Sequence, residues 1–205
     1  MPIRPEVYEN IVRFHEENIY LPTRTIYFGG SPRELDGQCD EVTAHSAGQL
    51  IKNLHILECE KIAPITILLN TIGGFWEDGI AIYDIITTLK SPVNIIGLGK
   101  LYSMGSVILQ AAKERILLPN TTLMVHDGSD GFSGDAKSYE KWAVHSKQVR
   151  ETMYQIFYER INKINPLFSL KQIEELCEHD SIFNAQESVE LGLADQIIET
   201  LNHRG

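Results

Sequence analysis

Apolar residues fall along the chain in two patterns, as short continuous runs and as positions spaced three or four residues apart. The short runs are rich in β-branched residues and end at turn residues, so they predict strands over Thr25–Phe28, Ile65–Leu69, Pro92–Ile96, Arg115–Leu118 and Thr122–Val125. The wider spacing, with its cap residues, predicts helices over Glu6–Glu17, Val42–Glu60, Glu77–Lys90, Met104–Ala112, Ser169–Cys177 and a last short stretch between Asn184 and Gly192. Strands that alternate with helices indicate an α/β fold with a largely parallel sheet.

One predicted helix is much longer than the others. From about Ala136 to Lys163, apolar or aromatic residues recur at three- and four-residue steps. The stretch amounts to roughly seven turns at 3.6 residues per turn, which is long for a compact domain. Two interpretations fit this length: an arm that packs against another subunit, or a helix that lies across its own domain.

Composition and charge narrow the class of protein. The 205 residues are 43% apolar and 22% charged, as expected for one globular domain or a domain with an appendage. A net charge of −10 argues against a nucleic-acid surface, and no run approaches the roughly 18 apolar residues of a membrane span. Residues 1–6 lack an apolar signal core, so secretion is not expected. Cys39, Cys59 and Cys177 lack CxxC spacing, which predicts reduced thiols in a cytoplasmic protein and no zinc site.

The segment around Ser103 carries the first candidate chemistry. Ser103 lies where the predicted strand at Pro92–Ile96 and its glycine-rich continuation give way to the helix that begins at Met104. A side chain at such a junction projects at the edge of a sheet, near free helix N–H groups that can hold an anion. The neighbouring glycines let the backbone turn tightly. The segment therefore suits a nucleophilic serine, although small residues there could equally serve close packing of the helix.

Serine-based acyl transfer needs a base, a carboxylate that orients the base, and an oxyanion hole. His126 ends a predicted strand and enters a glycine-rich loop, and Asp180 follows a short helix. Two backbone amides could form the hole, one from Gly73–Gly74 and one from Met104.

Other residues could fill these roles. His145 and His179 are competing bases, and three acidic residues near His126 could cap turns or orient it, namely Asp127, Asp130 and Asp135. A lone histidine is more often structural or exposed than catalytic, and Gly73–Gly74 could be a simple turn.

Seven segments, taken in order and at near-family spacing, resemble the ClpP family of serine peptidases, the proteolytic subunit of the ATP-dependent Clp protease. They are Asn70–Gly74, Ala81–Asp84, Tyr102–Ser106, Leu118–Asn120, Met124–His126, Ser169–Glu174 with Glu178–Asp180, and Ala185–Glu187 with Gly192–Asp195. The resemblance covers about residues 24–200. It implies a crotonase-like α/β spiral of βαβ units with a protruding helical handle, here at about residues 134–163.

The resemblance also assigns roles to the site residues. It implies Ser103 as nucleophile, His126 as general base and acid, and Asp180 as the residue that orients His126. Backbone N–H groups of Gly73 and Met104 would hold the oxyanion. Extended substrate would bind through Gly74 and by β-addition to a glycine-rich strand formed by Gly131, Phe132, Ser133 and Gly134.

The implied function is a serine endopeptidase that hydrolyses unfolded proteins inside a homo-oligomeric chamber of two stacked heptameric rings, a tetradecamer in the cytoplasm. No metal or cofactor is implied for this chain, because ATP would be used by a partner Clp-type AAA+ ATPase.

The chain departs from the family at Ile72, where the family has proline, and in the acidic loop after His126. It also departs at Thr66 and Leu68, in the strand of the ATPase-docking pocket. Residues 1–23 form an N-terminal entry or pore segment without the family's pattern, and residues 201–205 form a C-terminal tail.

Two alternatives use the same fold. A crotonase-type hydratase or isomerase would use the oxyanion hole for the enolate of a CoA thioester, but it has no use for a Ser-His-Asp set, and a charge of −10 does not favour a CoA phosphate site. A non-catalytic ring subunit would be expected to have lost part of the triad, whereas all three residues are present here.

Overall fold

The structure is a computed structural model that describes residues 4–30, 40–129 and 131–201. Most of the loop predicted over residues 31–40 lies outside the described residues, as do Cys39, Asp130 and residues 202–205 of the predicted tail.

Helices and strands alternate along the described chain. Its α-helices are α1 (Pro5–Glu17), α2 (Ala44–Glu60), α3 (Trp76–Thr88), α4 (Met104–Gln110), α5 (Ala136–Ile164), α6 (Leu170–Cys177) and α7 (Ala185–Leu191). Its strands are β1 (Ile19–Tyr20), β2 (Thr25–Phe28), β3 (Glu41–Val42), β4 (Ile65–Thr71), β5 (Gly73–Gly74), β6 (Val93–Tyr102), β7 (Glu114–Leu117), β8 (Thr122–Val125), β9 (Ser181–Asn184) and β10 (Gln196–Ile197).

The main sheet is organised on β6. Strands β1, β2, β4, β6, β7 and β10 lie side by side in that order, and β8 and β9 extend the sheet from β6. Because β6 is ten residues long, it pairs with β7 through Asn94–Gly97 and then with β8 through Lys100–Tyr102. The pairs are parallel except β1 with β2 and β8 with β9. Strands β3 and β5 form a separate parallel ribbon. The α/β fold with a largely parallel sheet is confirmed.

Several predicted elements have the predicted bounds. Strands β2 and β8 begin and end where the apolar runs do. Helices α6 and α7 begin with complete capping boxes, formed by Ser169 with Gln172 and by Asn184 with Glu187. Gly192 ends α7 in the left-handed region, with φ at 97°, where glycine carries no steric penalty.

Other bounds differ for identifiable reasons. Helix α2 begins at Ala44 because Thr43 caps it, while Glu41–Val42 pair with Gly73–Gly74 instead of joining the helix. Strand β6 continues past Ile96 to Tyr102 because β4 and β8 supply hydrogen-bond partners that its glycine-rich sequence does not indicate. The sequence prediction missed β1, β3, β5, β9 and β10, which are two to four residues long.

The long helix α5 divides into two halves. Its second half packs on the domain through buried residues that begin at Met153 and include Phe157 and Ile161. Its first half, residues 136–152, contains no buried residue. The helix therefore lies across its own domain only from about Met153 onward and projects before that point. Among the described residues, no helix combines the length and apolarity needed to cross a membrane.

A buried arginine joins the end of the chain to the helix that begins at Met104. Arg115 is 4% exposed, and its Nη1 donates to Gln110 Oε1 and Gly192 O, each at 2.7 Å. Its Nε lies 3.2 Å from both carboxylate oxygens of Asp195, and its Nη2 also contacts that carboxylate. Arg160 of α5 donates to the carbonyls of Gln110 and Ala112, so the C-terminal end of α4 is held from α5 as well.

Burial of Asp195 disfavours its charged form, but the hydrogen bonds and charge of Arg115 outweigh this effect and leave the pKa of Asp195 below its usual range. A lowered carboxyl pKa stabilises the fold above the unfolded-state pKa, and the contribution is lost as pH falls through the folded-state pKa.

We predict that Asp195→Asn lowers the free energy of unfolding at pH 7 by about 1.5–3 kcal/mol, the range for a hydrogen bond to a charged group. The deficit relative to wild type should shrink progressively as pH falls below about 4, the ordinary range of an aspartate, because the unfolded wild-type chain is protonated there before the folded carboxyl is. Denaturant unfolding at a series of pH values measures both effects. Glu9→Gln makes the same chemical change in the exposed pair Glu9–Arg13 and should change stability little. Equal deficits at pH 7 for the two variants would contradict the prediction.

Candidate active site

Ser103 occupies a turn between β6 and α4 with an uncommon backbone conformation. Its φ of 52° and ψ of −119° place a non-glycine residue at positive φ, which costs of order 1–3 kcal/mol and persists only where the surroundings enforce it. Here the Ser103 N–H donates to Met124 O at 2.8 Å, and Ser106 Oγ donates to Ser103 O at 2.6 Å. Every residue of α4 is buried. The turn is therefore fixed from both sides, and it presents the Ser103 hydroxyl at the sheet edge.

The pairing of β6 with β8 brings His126 to this hydroxyl. Tyr102 lies opposite Met124 in the parallel ladder, so Ser103 and His126 leave neighbouring strands at the same edge. The distance from His126 Nε2 to Ser103 Oγ is 2.9 Å, a hydrogen-bond distance suited to proton transfer.

The pairing of β8 with β9 brings Asp180 to the other side of the imidazole. Val125 lies opposite Ser181 in this antiparallel ladder, so His126 and Asp180 are the next residues beyond it on the two strands. The distance from His126 Nδ1 to Asp180 Oδ1 is 2.9 Å. The three residues singled out from the sequence thus form one hydrogen-bonded chain, Asp180–His126–Ser103.

The described rival residues are exposed or have other contacts, and no hydrogen bond found among the described residues joins any of them to Ser103. His145 is exposed on α5 in edge contact with the Trp142 ring, 5.5 Å between centroids. Asp135 caps α5, and the hydroxyl and N–H of Ser138 lower the pKa of this carboxyl. His179 is exposed. Asp127 accepts a hydrogen bond from Tyr154.

Gly73 lies directly against the serine turn. A Cβ added there would be 2.6 Å from Tyr102 O and 2.7 Å from Ser103 Cβ, and the φ of Gly73 is 93°. Met104 is the first residue of α4, so its N–H has no acceptor within the helix. The two amides predicted for an oxyanion hole therefore flank Ser103.

The sequence did not indicate how the Gly73 amide is held. Its N–H donates to Thr71 Oγ1 at 3.1 Å, and the Thr71 hydroxyl donates to Asp40 O. The signal that could have revealed this is the hydroxyl two residues before the glycine, the spacing of an ST-turn. Thr71 is completely buried, which makes it a structural part of the glycine turn.

A cleft of about 770 Å³ opens beside Ser103 and His126 and extends to the first half of α5. Gly74, Gly131 and Phe132 line this cleft, as predicted for substrate-binding residues, whereas Ser133 is not among its described lining residues. Aromatic side chains that the sequence analysis did not assign to the site also line it: Phe75, Trp76, Tyr139 and Trp142.

The strand predicted over Gly131–Gly134, which would pair with bound substrate, is not formed in the chain by itself and stays a prediction. Residues 131–134 have no strand geometry, and Phe132 stacks on Trp142 with ring centroids 5.5 Å apart. A strand requires a hydrogen-bonded neighbour, and no described strand pairs with this segment.

Two further observations concern alternative chemistry. Among the described residues there is no cluster of three or more histidine, cysteine, aspartate or glutamate side chains that could hold a metal ion. Burial, aided by the charge of Asp127, raises the pKa of the Cys177 thiol to about 12, so this cysteine stays protonated near neutral pH and is a poor nucleophile.

Comparisons with family models, with curated proteins and with solved structures agree. The family model described as Clp protease matches residues 38–201. The ATP-dependent Clp protease proteolytic subunit of Deinococcus radiodurans is 32% identical over 168 residues, 80% of each chain. A solved ClpP1 variant from Listeria monocytogenes is 28% identical and superposes with a TM-score of 0.76, covering 89% of this chain and 95% of that one.

We predict that Gly73→Ala lowers kcat/KM for peptide hydrolysis by about 10²–10³, the typical cost of losing one oxyanion donor. The added Cβ cannot fit against Tyr102 O and Ser103 Cβ, so the turn must move away from Ser103. Gly48→Ala makes the same change inside α2, where no atom lies within 4 Å of the added Cβ, and it should leave kcat/KM unchanged. A folded Gly73→Ala protein with wild-type kcat/KM would show that this turn does not contribute to catalysis.

Proposed function

The chain belongs to the Clp protease family and is similar to its proteolytic subunits, and from this membership we propose that it is a serine endopeptidase. The observation that carries the proposal is the hydrogen-bonded chain Asp180–His126–Ser103, with distances of 2.9 Å on both sides of the imidazole. Its geometry is that of a serine nucleophile, a base and an orienting carboxylate.

In the proposed reaction, Ser103 Oγ attacks the peptide carbonyl carbon while His126 Nε2 takes the hydroxyl proton. The carbonyl oxygen becomes an oxyanion, which the N–H groups of Gly73 and Met104 stabilise. His126 then gives its proton to the leaving amine, and an acyl-enzyme on Ser103 remains. Water, deprotonated by His126, hydrolyses this ester and regenerates the hydroxyl. Asp180 keeps Nδ1 protonated and stabilises the imidazolium throughout.

We propose an extended polypeptide as the substrate. The cleft of about 770 Å³ reaches from Ser103 and His126 to the first half of α5, and its glycines at positions 74 and 131 leave backbone groups accessible to a bound main chain. This mode of binding accepts many sequences, because main-chain hydrogen bonds do not depend on side chains.

The chamber of two stacked heptameric rings is also a proposal. Three large apolar residues on the first half of α5, Tyr139, Trp142 and Val144, are 61%, 49% and 60% exposed. An exposed apolar surface of this kind is typical of an interaction face. Val144 lies on the side of α5 away from Tyr139 and Trp142, which line the cleft, so two handles packed together through Val144 would cover this side and leave the cleft open to substrate.

Further elements of the proposal follow from the family. The peptidase needs no metal or cofactor of its own, and ATP is used by a Clp-type AAA+ partner that feeds unfolded chains into a cytoplasmic chamber. The crotonase-type and non-catalytic alternatives are less favoured, because neither requires Ser103, His126 and Asp180 to lie in hydrogen-bond contact.

We predict that Ser103→Ala abolishes peptide hydrolysis and covalent labelling by a serine-directed fluorophosphonate, because the nucleophilic oxygen is absent. The elution volume on a sizing column should stay that of wild type. Ser138→Ala, a serine in the first turn of α5, should label like wild type. Hydrolysis by Ser103→Ala near the wild-type rate would overturn the assignment, and an intact wild-type oligomer that does not label would favour a non-catalytic subunit.

A further inference from the structure

The residue after the catalytic histidine is held from two directions. Asp127 directly follows His126 at the end of β8. Its backbone N–H donates to Cys177 O at 2.7 Å, and its carboxylate accepts a hydrogen bond from the Tyr154 hydroxyl at 2.7 Å. The serine mechanism uses neither contact directly, yet both act on the backbone that presents His126.

The contact with Cys177 links the two partners of the triad. Cys177 is the last residue of α6, three residues before Asp180. The segments that carry His126 and Asp180 are therefore joined on both sides of His126. The β8–β9 ladder joins them before it, at Val125, and the main-chain hydrogen bond of Asp127 joins them after it.

The contact with Tyr154 links this pair to the long helix. Tyr154 belongs to the first buried turn of α5 and is 7% exposed. Burial, and then its hydrogen bond to Asp127, raise the pKa of the Tyr154 phenol, so it remains a donor throughout the range in which peptidases work. A hydrogen bond from a phenol to a carboxylate is stronger than one between neutral groups.

Two further side chains lie near the hydrogen bond between Tyr154 and Asp127 and affect its electrostatic environment. The thiol of Cys177 is buried and protonated beside the carboxylate. The positive charge of Arg150, one turn before Tyr154 on α5, lowers the pKa of the same phenol, but burial and Asp127 outweigh this effect. The Asp127 carboxylate thus faces α5 and α6, whereas the Asp180 carboxylate faces the imidazole.

We propose that Tyr154 is a positioning residue for catalysis: through Asp127 it fixes the His126–Asp180 pair relative to α5 and so aligns the imidazole with Ser103. The inference rests on the proposed serine peptidase function. It predicts that the position of α5 and the alignment of the triad are coupled through one side-chain hydrogen bond.

Tyr154→Phe removes only the hydroxyl, and we expect kcat to fall by about 10- to 100-fold with KM little changed, as expected for a misplaced catalytic group. The kcat values are normalised to the concentration of serine that fluorophosphonate labels, so that an unfolded fraction of the protein does not lower the measured kcat. Tyr158→Phe removes a phenol hydroxyl one turn later on the same helix, where no described group is bonded to it, and it should behave like wild type. An unchanged kcat per titrated serine in Tyr154→Phe would show a merely structural role and overturn the proposal.

A double-mutant cycle tests whether the effect passes through Asp127. Asp127→Ala should lower kcat about as much as Tyr154→Phe, and the two losses should not add, because both remove one contact. Asp127→Asn keeps an acceptor oxygen and should retain most of the activity. Additive losses would overturn the proposal. Wild-type protein that neither labels nor hydrolyses peptide would refute the peptidase function itself, and this inference with it.

Discussion

The strained turn at Ser103 is the constraint on which the rest of the site depends. A serine at a φ of 52° would relax to an ordinary conformation if its neighbours allowed it, so the fold must supply the energy that holds it. Helix α4 does this through complete burial of its seven residues. Both ends of that helix are fixed, the first by Met124 O and Ser106, the last by Arg160 and the Arg115–Asp195 pair. The buried charges far from the Ser103 hydroxyl therefore contribute to its position.

The register between strands also determines the relative positions of Ser103, His126 and Asp180. A shift of one residue between two strands turns every side chain to the opposite face, so a triad built across β6, β8 and β9 tolerates no slippage. The ladders of β8 with both neighbours end within one or two residues of His126. The contacts of Asp127 with Cys177 and Tyr154 lie just beyond that point, where regular pairing no longer determines the backbone. These two contacts therefore fix the backbone of the loop that follows His126.

The sequence predicted most of the fold because the fold depends largely on local patterns: apolar runs marked β2 and β8, and cap residues marked α6 and α7. The junction before Met104 pointed to Ser103, and the resemblance to the family selected His126 and Asp180 as the residues that the structure places in hydrogen-bond contact with it. The sequence could not predict features that depend on distant partners. Strand β9 is four half-exposed residues, and only its pairing with β8 makes it a strand. The roles of Thr71, Tyr154 and the aromatic cleft residues likewise require knowledge of which segments meet. The strand at Gly131–Gly134 was inferred from the family, and no described strand of this chain pairs with it.

The hydrogen bond between Gly73 and Thr71 affects how the proposed oxyanion hole would distinguish the neutral substrate carbonyl from the developing oxyanion. In the resting site the Gly73 N–H already has an acceptor, a neutral hydroxyl at 3.1 Å. A neutral substrate carbonyl would replace one neutral acceptor by another and gain little. A developing oxyanion accepts roughly twice as strongly as a neutral group, so the same N–H would favour it over Thr71 only as negative charge appears. An interaction that strengthens only in the transition state raises kcat instead of tightening substrate binding. The buried threonine would thus keep the amide oriented and dry between turnovers without giving the ground state an advantage.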